Sequence, residues 1–254
     1  MISLAGKAAL ITGGSRGIGA AAVKRFAQAG ADVVFNFHRA KEAASQVEQE
    51  ARKHGTRVEA FKADLGQMSD AKQLVHQCVE RLGRIDILVA NAGIWNDQDL
   101  PIEKMTEREW DEMIRANLKS VYSVVHYTSH YMIKQKSGRI IAISSTAGQR
   151  GESMHTHYAA SKGGIISFCK GLASELACHN ILVNCVAPGW VDTEMSASLL
   201  RTKAGLRSVT GAIPLGRPAT ADEIAGPILF LASDLATFMT GEVVNVNGGA
   251  VLCG

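Results

Sequence analysis

Short apolar runs and amphipathic stretches alternate along the whole chain. Seven runs read as strands: "KAALIT" (7–12), "DVVFNF" (32–37), "RVEAFKA" (57–63), "RIDILVA" (84–90), "GRIIAIS" (138–144), "ILVNCVA" (181–187) and "EVVNVN" (242–247). Several are apolar at nearly every position, which suits parallel strands covered on both faces. Between them the apolar spacing is helical. Three segments carry start signals: the serine opening "SDAK" (69–72), and a threonine with glutamate three later in "TERE" (106–109) and "TADE" (220–223), the capping box. The longest helices are expected over 106–135 and 157–178. This alternation predicts βαβ units on one parallel sheet. With no linker, repeat or low-complexity tract, residues 1–254 read as one domain. The stretch 190–218, with glycines, two prolines and few strand signals, is expected to be a mobile substrate lid or an irregular surface loop.

Composition changes this picture little but excludes several partners. The 254 residues are 46% apolar and 20% charged, with a net charge of +3 and both signs mixed. That gives no footprint for nucleic acid or an anionic membrane. No apolar run approaches the ~20 residues that span a bilayer. The opening "MISLAGKAALITGG" lacks the basic leader and cleavage site of a signal peptide. Five scattered cysteines without a C-x-x-C pair point to reduced thiols in a cytoplasmic protein.

The first strand runs into "TGGSRGIG" (12–19), and a helical stretch follows. Gly13, Gly17 and Gly19 thus sit at a strand-to-helix turn, where the backbone can approach a pyrophosphate and the helix N-terminus can meet its charge. The sheet and this loop together predict a Rossmann-type, doubly wound α/β fold with helices on both faces. No G-K-[ST] follows, which excludes the phosphate loop of nucleotide triphosphatases. Enzymes that use NAD place an acid after the second strand, but here "FNFHRAKE" (35–42) offers none before Glu42. Arg39 stands there instead, and Arg16 lies in the loop. Two arginines favour a 2′-phosphate carrying roughly −1.5 to −2 charges. The reading is NADP(H) over NAD(H), which remains possible; the alternative is that both arginines are solvated surface charges.

"YAASK" (158–162) puts a tyrosine and a lysine one helical turn apart on one face. Either both sit on an ordinary helix surface, or Tyr158 is a proton donor tuned by Lys162. A free phenol titrates near 10, and burial raises that value. A cation ~5 Å away at an effective dielectric of ~20 stabilises the phenolate by roughly 3 kcal/mol, enough to lower the pKa by about two. Lys162 and an oxidised nicotinamide ring are together expected to outweigh desolvation. Adjacent Ser144 and Ser145 point to opposite faces, so only one can meet a carbonyl.

"TGGSRGIG", "ANAG" (90–93), Asn117, "ISS" (143–145), "YAASK" and "APG" (187–189) occur in the order seen in short-chain dehydrogenases/reductases. The chain resembles that family along essentially its whole length. "GKAALITGGSRGIG" and "TGEVVNVNGG" resemble its 3-oxoacyl-[acyl-carrier-protein] reductases of fatty acid biosynthesis. The resemblance implies ketone reduction: the cofactor delivers hydride, Tyr158 donates the proton, and Ser145 hydrogen-bonds the carbonyl oxygen. Ser145 is selected by the family's thirteen-residue spacing to the tyrosine. Lys162 resembles the lysine that grips the nicotinamide ribose, and Asn117 the residue that holds a relay water. As a plain helix residue, Asn117 would be a polar interruption of 106–135. The implied cofactor contacts also include Ser15, Ile18 and Asn36. Asp64 and Leu65 stand beside the adenine, and Asn91, Ala92 and Gly93 line the ribose. Pro188, Gly189, Val191 and Thr193 meet the nicotinamide amide.

Some features depart from the pattern. Ala90 replaces an asparagine, and Asn247 stands where aspartate is common. Lys136 and His179 match the family's basic residues for acidic acyl-carrier protein, expected near the cleft. One lysine and one mostly neutral histidine make a weak docking surface. Trp95, His155 and Trp190 are expected to border the substrate pocket, admitting a bulky or ring-bearing ketone, or else simply to pack. The pairs His126/His130 and His155/His157 lack a third ligand, so no metal is expected. Three functions remain open. One is an NADPH-dependent reductase of ketones or 3-oxoacyl thioesters. Another is an NAD(P)-dependent dehydrogenase of a secondary alcohol, steroid or sugar. The third is a cofactor sensor without catalysis. The helices over 106–135 and 157–178 resemble those that build tetramers in the family, implying a homotetramer.

Overall fold

The computed structural model describes residues 2–253. Its main sheet contains β1 (Ala8–Ile11), β2 (Asp32–Phe37), β3 (Val58–Lys62), β4 (Ile87–Ala90), β5 (Gly138–Ile143), β6 (Ile181–Pro188) and, last in the chain, β9 (Val243–Val246). The short strands β7 (Val191–Asp192) and β8 (Ala219–Thr220) pair separately. The main sheet has the order β3-β2-β1-β4-β5-β6-β9, and every pairing is parallel. This is the predicted seven-stranded, doubly wound sheet. The chain winds outward from β1 to β3, then crosses to β4 and winds the other way. The switch point between β1 and β4 opens a crevice at their C-terminal ends.

The central strands β1 and β4 are apolar throughout because successive side chains enter two different cores. Ile11, Val33 and Phe35 face α1 (Gly17–Gln28), α2 (Lys41–Arg52) and α10 (Ala221–Ala232) through Phe26, Val47 and Ile228. Leu10, Val34 and Ile140 face α3 (Met68–Leu82), α5 (Ser120–Gln135) and α7 (Thr156–Leu176) through Leu74, Val124 and Ile165. Each fully buried side chain of this size contributes about 1.5–3 kcal/mol.

Both capping boxes form, at Thr106/Glu109 opening α4 (Glu107–Ile114) and Thr220/Glu223 opening α10. Ser69 is not a cap: α3 begins at Met68, and Ser69 lies inside its first turn. Asp70 in that turn accepts the Asp64 N–H at 3.0 Å. The expected helix over 106–135 is interrupted by a π turn, Arg115–Lys119, between α4 and α5. Residues 190–218 hold more regular structure than their composition predicts. They contain β7, α8 (Ala197–Leu200) and α9 (Lys203–Gly211), the latter capped by Thr202 Oγ1. Leu200, Val209 and Ile213 form a small separate core against Trp190. Four-residue α8 is too short to show a helical period, so the pattern gave no sign of it.

Candidate active site

The glycine loop is braced from below. Thr12, just past β1, accepts the N–H groups of Asn91 and Ala92 on its Oγ1, both at 2.9 Å. Asn91 Nδ2 donates back to the Thr12 carbonyl at 2.9 Å. Asn36 accepts the Gly13 N–H at 2.9 Å and donates to the Ala63 carbonyl at 3.1 Å. Its amide is spent on backbone and it is buried. Asn36 therefore braces the loop from its buried side.

Gly17 opens α1 with φ of 55°, a conformation that disfavours a side chain. At Gly19 an added methyl would collide with the Gly13 carbonyl, so helix and loop pack too closely for any Cβ. The first turn of α1 carries no acidic residue, and Arg16 before it makes no side-chain cap. Among the described residues, no side chain caps the free N–H groups of this first turn. That donor set fits a dinucleotide pyrophosphate. Ser15 is buried beside it, and Ile18 is half-buried in α1. Past β2, His38 and Arg39 are exposed, and Glu42 lies in the first turn of α2. Burial pushes the Asp64 carboxyl up, but Arg115 at 2.8 and 3.0 Å and the Gly66 N–H hold it below the usual carboxylate range. Leu65 beside it is buried.

Across the crevice, Ser144 and Ser145 follow β5. Ser144 turns inward and donates to the Lys162 carbonyl at 2.8 Å. Ser145 opens α6 (Thr146–Arg150), accepting the Ala147 N–H at 3.1 Å, and its hydroxyl acts on the Tyr158 phenol to pull its pKa down. Tyr158 and Lys162 are only 9% and 5% exposed, so the alternative of a surface helix face is excluded. Lys162 Nζ donates to the Ile143 carbonyl at 2.9 Å and lies 5.8 Å from the Tyr158 ring centre. Burial pushes the phenol up to about 12, against the opposing pull of Ser145. Burial pushes Lys162 down to about 8. Within the chain alone, burial is the largest influence on both groups, and it opposes acidification of the phenol.

Asn117 sits fully buried in the π turn. Its Oδ1 accepts the Ile94 N–H at 2.7 Å; its Nδ2 donates to the Ile94 carbonyl and to Ser161 Oγ, each at 3.1 Å. Ser161 in turn donates to the Tyr158 carbonyl at 2.7 Å. Asn117 is therefore a brace between the 91–94 turn and α7, not a mere polar interruption. Ser161 escaped the sequence reading, where it counted only as a small spacer. Gly93 completes the corner: an added methyl would lie 3.0 Å from Asn117 Oδ1 and 3.5 Å from Lys162 Nζ.

Trp95 joins Tyr158 to His155 and Trp190. Trp95 stacks on His155 at 4.1 Å, meets Tyr158 edge-on at 4.6 Å and meets Trp190 edge-on at 6.3 Å. His155 is buried, and its Nε2 has no hydrogen-bond partner among the described residues. Beyond β6, the Gly189 N–H donates to Val246 at 3.1 Å, and Pro188 pairs with Val246 in the sheet. Val191 is buried in β7. Thr193 lies opposite the loop, its methyl 3.4 Å from where a Gly17 side chain would begin.

Lys136 and His179 lie in neighbouring turns, where Asn180, next to His179, donates its Nδ2 to the Lys136 carbonyl at 3.4 Å. They precede β5 and β6, at the opposite ends of those strands from Ser145 and Pro188. Within one chain they are therefore not beside the cleft, contrary to expectation. His126 and His130 meet edge-on along α5, where His130 Nδ1 lies 2.7 Å from the His126 carbonyl. Among the described residues, no group of three or more His, Cys, Asp or Glu side chains is gathered as a metal site would need. None of the described helices is long and apolar enough to cross a membrane.

A profile of the family described as enoyl-(acyl carrier protein) reductase matches residues 13–251. The 3-oxoacyl-[acyl-carrier-protein] reductase FabG of Thermotoga maritima is 41% identical over 249 residues, covering 98% of this chain and 99% of its own. The protein of the same name from Aquifex aeolicus is 38% identical over 248 residues, covering 98% of each chain. Among solved structures, a short-chain dehydrogenase from Burkholderia cenocepacia in complex with NADP is similar with a TM-score of 0.89 at 31% identity, covering 97% of this chain and 98% of its own. A dehydrogenase/reductase from Sinorhizobium meliloti reaches 0.90 at 36% identity, covering 98% and 97%.

Proposed function

The chain belongs to the short-chain dehydrogenase/reductase family of NAD(P)-dependent oxidoreductases, and from that premise we propose that it is an NADPH-dependent carbonyl reductase converting 3-oxoacyl thioesters to 3-hydroxyacyl thioesters. The observation that carries the chemistry is a buried Tyr158 with buried Lys162 one turn on, its Nζ held on the Ile143 carbonyl 5.8 Å from the centre of the phenol ring, and Ser145 opening α6 beside them. Because Ser145 Oγ already accepts the Ala147 N–H, its own hydrogen is free to bond a substrate carbonyl oxygen. Tyr158, protonated throughout the neutral range, donates the proton to that oxygen. When bound in the crevice, NADPH supplies the hydride. Lys162 spends one N–H on Ile143 and keeps two for the nicotinamide ribose. Asn117 holds the turn beside Lys162 and, with an ordered water, extends the proton path.

Preference for NADPH rests on Arg16 and Arg39 and on the lack of an acid before Glu42. The residues from Gly13 to Gly19 receive the pyrophosphate, and Pro188, Gly189, Val191 and Thr193 the nicotinamide amide. The thioester, carried by acyl-carrier protein, is supported by the names of the relatives. Residues 190–218 act as the lid over it. A homotetramer built on α5 and α7 completes the reading, supported by the exposed Tyr122 that lies against Phe168. A second reading, oxidation of a ring-bearing alcohol, steroid or sugar, is favoured by the Trp95–His155–Trp190 wall.

Following NADPH absorbance with acetoacetyl thioester, then with cyclic ketones and sugars, separates the two. Faster turnover of the thioester supports the first reading, and turnover of ring substrates alone supports the second. Tyr158→Phe should lose turnover and keep NADPH binding; substantial residual activity would remove Tyr158 from its role.

A further inference from the structure

Arg16 is the residue just before α1, at the mouth of the glycine loop. Its Nη1 donates to Glu194 Oε2 at 2.9 Å, a partner 178 positions away in sequence. Glu194 begins a single tight turn after Thr193, held by the Ser196 hydroxyl, which accepts the Thr193 N–H at 3.2 Å. Thr193 itself packs toward Gly17, so this turn is fixed against the loop rather than free to wander. The ion pair therefore spans the opening of the cofactor crevice, from the loop to the segment beyond β6. Both partners are about two-thirds exposed, at 64% and 65%. Pairs this exposed are weak and readily exchanged.

One guanidinium here has two claimants of the same chemistry. Glu194 offers a single carboxylate charge. A ribose 2′-phosphate offers up to about two charges and three acceptor oxygens. We propose that Glu194 is a cofactor-specificity residue: it competes with the 2′-phosphate for Arg16, so NADPH must displace it, whereas NADH, with a plain hydroxyl at that position, makes no such demand. This rests on the reading of Arg16 as a phosphate ligand. Glu194 is thus a brake on the preference that Arg16 and Arg39 create. It keeps the arginine oriented across the crevice and lowers the affinity for the phosphorylated cofactor.

The test is a cycle of four proteins: the parent chain, Glu194→Gln, Arg16→Gln and the double variant. Dissociation constants for NADPH and NADH are read by quenching of tryptophan fluorescence, with thermal melting to verify folding. Glu194→Gln should tighten NADPH about threefold more than NADH, the scale of an exposed ion pair. Arg16→Gln should weaken NADPH about tenfold. In the Arg16→Gln background, the added Glu194→Gln change should have no selective effect. If Glu194→Gln leaves NADPH unchanged, or tightens both cofactors equally, while Arg16→Gln still weakens NADPH, the competition is refuted and the phosphate role of Arg16 survives. If Arg16→Gln leaves NADPH affinity intact, the phosphate role itself falls, and the competition with it.

Discussion

Ser144 Oγ donates to the main-chain carbonyl of Lys162 at 2.8 Å, and Lys162 Nζ donates back to the carbonyl of Ile143 at 2.9 Å. The pair staples the end of β5 to α7 and leaves the next residue, Ser145, facing Tyr158. Two neighbouring serines thus have separate duties. Ser144→Ala removes one buried hydrogen bond, and Ser145→Ala removes a helix cap; each should cost about 1 kcal/mol of stability. Only turnover separates them. Ser145→Ala should lower kcat by about 10²–10³, the scale of a lost oxyanion donor, with Ser144→Ala within about threefold of the parent. Equal losses of kcat in the two variants would contradict this division.

The alkaline side of the reaction should be set by the lysine. Burial holds Lys162 down at about 8 and the Tyr158 phenol up at about 12. As pH rises, the ammonium is lost long before the proton donor. The profile of kcat/KM reports groups of the free enzyme. It should therefore fall as pH rises through about 8, with one proton lost, while the phenol stays protonated. A profile flat to about pH 10 would contradict a required ammonium that is lost near 8.

Asn117 is predicted to matter for stability as much as for chemistry. It is the partner of both the N–H and the carbonyl of Ile94. Asn117→Ala strands these groups at a cost of about 1–3 kcal/mol, read by chemical denaturation. Because the same turn leads into Trp95, turnover should fall as well. Unchanged stability in this variant would mean that the 91–94 turn is held elsewhere.

What could be read from the chain was whatever local spacing encodes. The glycine loop, the Tyr158–Lys162 pair and the apolar strands depend on intervals of two to four residues, and the physics of helices and strands converts these directly into geometry. The features that escaped depend on residues far apart in sequence. Asn36 reaches Gly13 across 23 positions, Asn117 reaches Ser161 across 44 and Arg16 reaches Glu194 across 178. No periodicity carries such pairings. Alternation required that only one of Ser144 and Ser145 face the site, but not which one, because parity depends on the register with β6. The π turn was hidden for a different reason: one widened turn hardly disturbs the apolar stripe of a long helix.

His157 should make the protein acid-sensitive. Burial first, and then the neighbouring His155, hold its imidazole below the ordinary 6.5, with Glu109 opposing. The folded chain thus resists a proton that the unfolded chain accepts. Its contribution to stability is complete above about pH 6.5 and is lost as pH falls below that value. The denaturation midpoint should therefore drop between about pH 7 and about pH 5, and His157→Asn should flatten the change. An equal drop in the variant would assign the sensitivity to other groups.

Trp95 decides between packing and recognition in the aromatic wall. Its ring centre lies 4.6 Å from that of Tyr158, perpendicular to it, and its face stacks on His155 at 4.1 Å between ring centres. Aromatic pairs of this kind contribute about 0.5–1.5 kcal/mol beyond area burial. If the indole only packs, Trp95→Ala loosens the phenol and lowers kcat for every ketone alike. If it also forms a wall of the substrate pocket, the loss depends on substrate shape. The position of Trp95 between the proton donor and the His155 and Trp190 rings favours the second outcome. Trp95→Ala should raise KM for a cyclic ketone about tenfold, the scale of one lost stacking contact, and raise KM for a linear acetoacetyl thioester much less. The orphaned Nε2 of His155 sharpens the comparison, because a buried ring nitrogen without a partner gains from a substrate that can hydrogen-bond it. His155→Phe should then preserve the stack and weaken substrates with a polar group near the ketone more than plain cyclohexanone. Equal effects on all three substrates in both variants would reduce the wall to simple support for Tyr158.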